Sequence, residues 1–242
     1  MTRVVAILGA GGALGGALSA RFATEPDTVL VLSDVSPASL EATVASLPAP
    51  VETVLADVSD AGQVEGVVAR AVDNFERLDV LISNAGVLSP NGRIHNLTTE
   101  DWEQAFRVNV LGAVNAVRAA VPVMRDQRSG SIILTASVAG LTAWSHAAPY
   151  CATKAAVIQL AKVAAVEYAR DGIRVNCVCP GTFLSAMHEG LPQEAIDATA
   201  GRHPLGLGAA TDLVGAYSYL AGDASAWTTG SALVVDGGYS AP

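Results

Sequence analysis

Seven short apolar runs, the first six each followed by a stretch with helical patterning, divide this chain into a regular alternation that leaves few folds open. The strand-like runs cover residues 3–8, 28–33, 51–55, 80–83, 131–135, 173–178 and 231–235. Six helical patterns accompany them: from a glycine loop to Phe22, from Ser36-Pro37 onward, at about 60–75, at 98–124, from Pro149 to Arg170, and at about 211–220. Ser36 before Pro37 is a capping hydroxyl ahead of a proline at the first helical position, and Thr98-Thr-Glu-Asp101 reads as a capping box. The apolar runs are continuous rather than alternating, so both faces of each strand need cover. Parallel strands joined by helical crossovers meet that need, because tight turns cannot connect parallel neighbours. The predicted fold class is α/β: a doubly wound, seven-stranded parallel sheet with helices on both faces. No shift in composition divides residues 1–242, so one domain is expected.

The formal charge of −9 argues against a nucleic-acid or anionic membrane surface, either of which needs clustered Lys and Arg. No run approaches the ~20 continuous apolar residues of a membrane span. The three cysteines, Cys151, Cys177 and Cys179, leave one unpaired in any disulfide scheme and form no C-x-x-C pair, which suits a reducing cytoplasm. Cys177 and Cys179 fall on one face of a strand and read as small buried apolar residues. His95, His146, His188 and His203 are scattered without ligand spacing, so no metal is expected.

Five glycines between residues 9 and 16 interrupt the apolar core that a signal peptide requires. They are better read as a loop between the first strand and its helix. Glycines there let the backbone approach a pyrophosphate, and the helix N-terminus offers free N–H groups to it. Asp34 ends the second strand, 19 residues beyond Gly15, where a carboxylate can hydrogen-bond an adenosine ribose. The same carboxylate opposes a 2′-phosphate, and neither the loop nor Val35-Ser36-Pro37 supplies a compensating cation. NAD is therefore expected rather than NADP.

Tyr150 and Lys154 lie four apart at the head of a long helix, on one face of it. Ser137 precedes Tyr150 by 13 residues, across a loop. A hydroxyl, a phenol and an ammonium brought to one point form a prepared acid.

Taken together, these motifs resemble those of the short-chain dehydrogenase/reductase family from Val4 to Tyr239. The family's glycine loop is matched by Leu8-Gly9-Ala-Gly-Gly12-Ala13-Leu14-Gly15, with Leu8 in place of Thr and Ala13 in place of the middle Gly. Asp57-Val58 resembles the adenine-site pair, Ser83-Asn84-Ala85-Gly86 the segment after the fourth strand, and Val108-Asn109-Val110 the helix-four asparagine motif. Tyr150-x-x-x-Lys154 with Ser137 is similar to the catalytic signature. Pro180-Gly181-Thr-Phe183-Leu-Ser185 resembles the nicotinamide-side segment, and Val234-Val-Asp-Gly-Gly238 the last strand.

The resemblance implies a Rossmann fold and a cofactor site of Gly9, Gly12, Ala13, Leu14, Asp34, Asp57, Val58, Asn84, Ala85, Gly86, Tyr150, Lys154, Pro180, Gly181, Phe183 and Ser185. It implies Tyr150 as acid/base, with Lys154 and the nicotinamide lowering its proton affinity. Ser137 would bond the substrate oxygen, and Asn109 would hold a water leading to Lys154. Residues 182–210, too irregular for a core element, resemble the family's variable substrate lid. Trp144, His95, Met187 and Leu191, with Leu88 and Ile94 nearby, are expected to line a mainly apolar pocket. The implied activity is NAD(H)-dependent interconversion of a small, mainly apolar secondary alcohol and its ketone. A 3-oxoacyl-thioester reductase (or 3-hydroxyacyl dehydrogenase) and a catalytically silent NAD-binding regulator are the alternatives. A cytoplasmic homotetramer or dimer is expected, joined through the helices carrying Asn109 and Tyr150 and through the last strand.

Overall fold

The computed structural model describes residues 2–48, 50–185 and 193–241. Seven parallel strands form one sheet: β1 (Arg3–Leu8), β2 (Thr28–Asp34), β3 (Glu52–Leu55), β4 (Val80–Ser83), β5 (Gly130–Thr135), β6 (Ile173–Pro180) and β7 (Ala232–Val235). Their order is β3-β2-β1-β4-β5-β6-β7. The chain therefore winds outward from β1 in one direction and then, from β4, in the other. The crevice at the carboxyl ends of β1 and β4 is the topological switch point of such a sheet.

The helices are α1 (Ala13–Ala23), α2 (Pro37–Ala45), α3 (Ala61–Phe75), α4 (Thr99–Phe106), α5 (Gly112–Gln127), α6 (Ala148–Tyr168), α7 (Gln193–Ala200) and α8 (Ala210–Ala221). Apolar faces of α1, α2 and α8 pack on one side of the sheet, around Leu18, Phe22, Leu40 and Leu213. Those of α3, α5 and α6 pack on the other, around Val67, Val117, Met124 and Ile158. Val4 through Leu8 are wholly excluded from solvent, as continuous apolarity predicts.

Three expectations need correction. The helix expected over 98–124 is two helices, because residues Arg107–Leu111 form a π-helical turn. The lid segment is not uniformly irregular, since it contains α7. Continuous burial fails at the edge strand β3, where Thr53 and Leu55, on one face of the strand, are exposed.

Register carries the site. Leu8 pairs with Ser83, Ser83 with Leu134, and Thr135 with Val178. The segments that follow β1, β4, β5 and β6 consequently leave the sheet along one edge.

Candidate active site

The glycine loop turns out of β1 at Gly9, whose φ of +82° is open to glycine and strained for other residues. A Cβ there would also lie 2.6 Å from the Ala85 backbone, so the loop and the segment after β4 approach closely. Helix α1 starts with Gly12 as N-cap and no capping side chain. Its first N–H groups are left for a ligand, and a Cβ at Gly12 would meet nothing nearer than 4.0 Å. That open, uncapped helix end fits a pyrophosphate. Asp34 reaches the loop directly: Gly11 N–H donates to its Oδ2 at 2.8 Å, and Ser36 N–H to its Oδ1 at 2.9 Å. The cap of α2 is Ser36, whose Oγ accepts from Ser39 N–H at 3.3 Å. Asp34 is thus not consumed as a helix cap.

After β4, Asn84 Nδ2 donates to the Gly9 carbonyl at 2.9 Å and fixes the loop from the far side of the switch point. Gly86 sits between two polar groups: a Cβ there would lie 3.2 Å from Asn109 Oδ1 and 3.3 Å from Lys154 Nζ. Val58 packs against α5 where Gly112 leaves room, and Asn115 Nδ2 holds the Val58 carbonyl at 2.9 Å. Asp57 turns the chain there, its Oδ1 accepting from Ser59 N–H at 2.8 Å. Gly112 and Asn115 support this edge, yet neither carries a signal in the sequence outside a helix pattern.

Asn109 stands in the π-turn, buried. Its Oδ1 accepts from Val87 N–H at 2.8 Å, while Nδ2 donates to the Val87 carbonyl at 2.9 Å and to Thr153 Oγ1 at 3.1 Å. Thr153 Oγ1 donates in turn to the Tyr150 carbonyl at 2.8 Å. The side chain expected to hold a water is thus engaged by backbone and by α6. A π-turn inserts one residue into the helix, which aims this side chain across at α6.

Ser137, Tyr150 and Lys154 are brought together. Buried Ser137 follows β5 and bears on the Tyr150 phenol, while its Oγ accepts from Ala139 N–H at 3.1 Å. Gly140 lets this turn rest on α6, since a Cβ there would lie 2.6 Å from the Lys154 backbone. Lys154 is buried, and its Nζ donates to the Thr135 carbonyl at 2.8 Å and sits 5.7 Å from the Tyr150 ring centroid. Burial pushes Lys154 from its ordinary 10.5 down to about 8, partly offset by Cys179. Burial also raises Tyr150, with the Ser137 hydrogen bond working against it. The lowering expected for Tyr150 is therefore not supplied by the protein's own groups.

On the nicotinamide side, Gly181 N–H donates to the Val235 carbonyl at 2.9 Å after Pro180 ends β6. Phe183 packs against the core beneath α8, and Ser185 closes the described part of the segment. Met187 and Leu191, expected in the pocket, and His188 lie outside the described residues.

Trp144 is stacked on Tyr150 with ring centroids 6.1 Å apart. His95, Leu88 and Ile94 are exposed, on a loop joined to the Trp144 loop by a bridge between Gly92 and Ala147. Arg202 and His203, within the segment expected as a lid, and Tyr239, which was not expected near the site, gather beside Trp144. Tyr239 meets Trp144 edge-on at 6.2 Å, Arg202 Nη2 donates to the Tyr239 hydroxyl at 2.6 Å, and His203 packs on the Tyr239 ring at 4.7 Å. His203 is buried. Thr182 N–H donates to its Nε2 at 3.1 Å, which leaves the proton on Nδ1 for the Thr199 carbonyl at 2.9 Å. Only chain folding brings this C-terminal tyrosine to the site, so nothing local could have announced it.

Cys177 and Cys179 are buried free thiols, and among the described residues no cluster of metal-ligating groups occurs. No described helix is long and apolar enough to cross a membrane.

Residues 9–240 match a family model described as Enoyl-(Acyl carrier protein) reductase. The chain is 38% identical to 2-(R)-hydroxypropyl-CoM dehydrogenase of Xanthobacter autotrophicus, covering 100% of both chains. It is 35% identical to the 3-oxoacyl-[acyl-carrier-protein] reductase FabG of Thermotoga maritima, over 98% of this chain and 97% of that one. Among solved structures it is similar to levodione reductase, with a TM-score of 0.93, 32% identity and coverage of 99% and 98%. It is similar too to ElxO with NADP bound, with a TM-score of 0.92, 28% identity and coverage of 99% of each chain. A doubly wound seven-stranded sheet, a glycine loop at its switch point and these relatives along almost the whole length agree: the chain belongs to the short-chain dehydrogenase/reductase family of oxidoreductases.

Proposed function

We propose that the protein is an NAD(H)-dependent dehydrogenase that interconverts a small, mainly apolar secondary alcohol and its ketone. The observation that carries this reading is the convergence of Ser137, Tyr150 and Lys154 beside an uncapped helix N-terminus at the switch point. The glycine loop from Gly9 to Leu14, with Asn84, Ala85 and Gly86, would hold the pyrophosphate side of the cofactor. Asp57 and Val58 would border its adenine, while Pro180, Gly181, Phe183 and Ser185 would border its nicotinamide. The bound nicotinamide supplies a hydride acceptor or donor. Tyr150 takes the hydroxyl proton from an alcohol or returns it to a ketone oxygen, and Ser137 donates a hydrogen bond to that oxygen. Lys154 is set to bond ribose hydroxyls, and Asn109 fixes α6 through Thr153.

Trp144 and Tyr239 make an aromatic wall, which favours an apolar substrate body. The described residues of the segment read as a lid, 182–185 and 193–210, would border it. The relative named as a 3-oxoacyl-[acyl-carrier-protein] reductase supports a thioester substrate as the second reading. A silent NAD sensor is disfavoured, because a sensor has no chemical need for the three converging groups. Initial rates with NAD⁺ and NADP⁺ over aliphatic, cyclic and 3-hydroxyacyl-thioester alcohols separate the three. Turnover confined to thioesters favours the second reading, and cofactor binding with no turnover anywhere favours the sensor.

Preference for NAD rests on Asp34. Asp34→Asn keeps an acceptor for Gly11 N–H while removing the charge that opposes a 2′-phosphate. The ratio of kcat/KM for NAD⁺ over that for NADP⁺ is expected to fall on the order of tenfold or more. An unchanged ratio in steady-state assays would assign selectivity elsewhere.

Assembly into a homotetramer, working in the cytoplasm, completes the reading. Free thiols suit a reducing compartment. Val166 on α6 is 82% exposed, with Leu111 before α5, and Trp227 and Val234 near the last strand, also left uncovered. Apolar side chains on these faces are what a second copy would bury. Val166→Glu should shift sedimentation toward smaller species with the fold intact. A variant that sediments as the parent does would remove α6 from the interface.

A further inference from the structure

Tyr217 belongs to α8, in the helical layer opposite α6, and is fully buried. A phenol in that setting needs a partner for its hydroxyl. Its partner is Thr135 Oγ1, 2.8 Å away, on the last residue of β5. Thr135 is engaged in two further directions. Its hydroxyl lies 3.3 Å from Asn84 Oδ1, and its backbone carbonyl accepts from Lys154 Nζ at 2.8 Å. Asn84 passes the chain on, donating from Nδ2 to the Gly9 carbonyl at 2.9 Å.

The direction of these bonds is fixed by chemistry. An amide oxygen can only accept, so the Thr135 proton goes to Asn84. Burial holds Tyr217 well above the ordinary tyrosine range, so the phenol keeps its proton and donates to Thr135. The series therefore starts in one layer of the fold and ends at the glycine loop. Through one threonine it touches the lysine of the other layer.

We propose that Tyr217, acting through Thr135, is a positioning residue that sets the cofactor-binding edge from behind the sheet. It holds Thr135 so that its carbonyl stays on Lys154 and its hydroxyl keeps Asn84 turned toward the Gly9 carbonyl. Tyr217 itself touches neither cofactor nor substrate. The inference rests on the reading that Lys154 and the glycine loop hold a nicotinamide cofactor. If Tyr217 only filled core volume, phenylalanine would serve equally well.

Tyr217→Phe keeps the ring and removes one hydroxyl, while Thr135→Val removes the next one along. NADH and NADPH are titrated by fluorescence, which needs no turnover, and steady-state rates are measured beside them. Loss of one hydrogen bond predicts that the tighter of the two cofactors binds about 3- to 10-fold more weakly to Tyr217→Phe. The KM for that cofactor should rise alongside, with kcat within about twofold. Thr135→Ser should bind as the parent does. The double variant Tyr217→Phe/Thr135→Val should be no weaker than Thr135→Val alone, because the two act in series. Unchanged cofactor affinity in Tyr217→Phe, with only a lower melting temperature, would overturn the inference and leave Tyr217 as packing. Simple additivity in the double variant would also overturn it. If neither cofactor binds the parent protein, the cofactor reading falls and this inference falls with it.

Discussion

Tyr150→Phe is expected to lower kcat by on the order of 10³-fold while leaving NADH affinity within a factor of about three. The substitution removes the group proposed to exchange a proton with the substrate oxygen and keeps the ring that stacks on Trp144. The phenol is an acid that the protein holds protonated at neutral pH, because burial outweighs the Ser137 hydrogen bond. Ketone reduction thus starts with the proton already present. Stability should change by less than about 1 kcal/mol, since Ser137 Oγ keeps Ala139 N–H. Single-turnover kinetics with saturating NADH and ketone give the measurement. A loss smaller than about tenfold would assign the proton transfer to another group.

Lys154→Met is expected to make the protein more stable at pH 7 and nearly inactive. The lysine is held at about 8 against 10.5 when exposed, because burial disfavours its charge. Below pH 8 the folded chain carries that buried charge, at a cost on the order of 3 kcal/mol. Between pH 8 and 10.5 the unfolded chain binds one more proton than the folded one, so stability rises with pH across that window. Methionine fills the volume without the charge but leaves the Thr135 carbonyl unbonded, a loss of about 1 kcal/mol. The net gain at pH 7 should be about 1–2 kcal/mol, and it should vanish toward pH 10.5. Urea unfolding at pH 7 and pH 10 compares the two proteins, and a variant less stable at pH 7 would contradict the argument. A residue kept in spite of its cost to folding is one that the site requires.

Composition and spacing carried much of this protein. Continuous apolar runs demand cover on both faces, so a parallel sheet between helical layers follows from the sequence alone. Both groups of signals are local: glycines that only a close loop needs, and a tyrosine and lysine one helical turn apart. Each depends on residues close together in the chain, where periodicity translates directly into geometry.

The tertiary structure decided what depends on residues distant in sequence. The π-turn places Asn109 so that its side chain bonds Val87 and Thr153, partners that helix propensity does not reveal. The direction of the Tyr150 shift is set by burial, with Ser137 working against it, which no spacing reveals. Tyr239 and His203 come beside Trp144 because the tail after β7 turns back over the segment after β6, where the Leu205 N–H donates to the Gly237 carbonyl. Tyr217 reached Thr135 because α8 packs against β5, far from it in sequence. A sequence specifies which residues prefer burial or a turn. The electrostatics and contacts of a site depend on what lies across the sheet, and only the folded chain brings those partners within hydrogen-bonding distance.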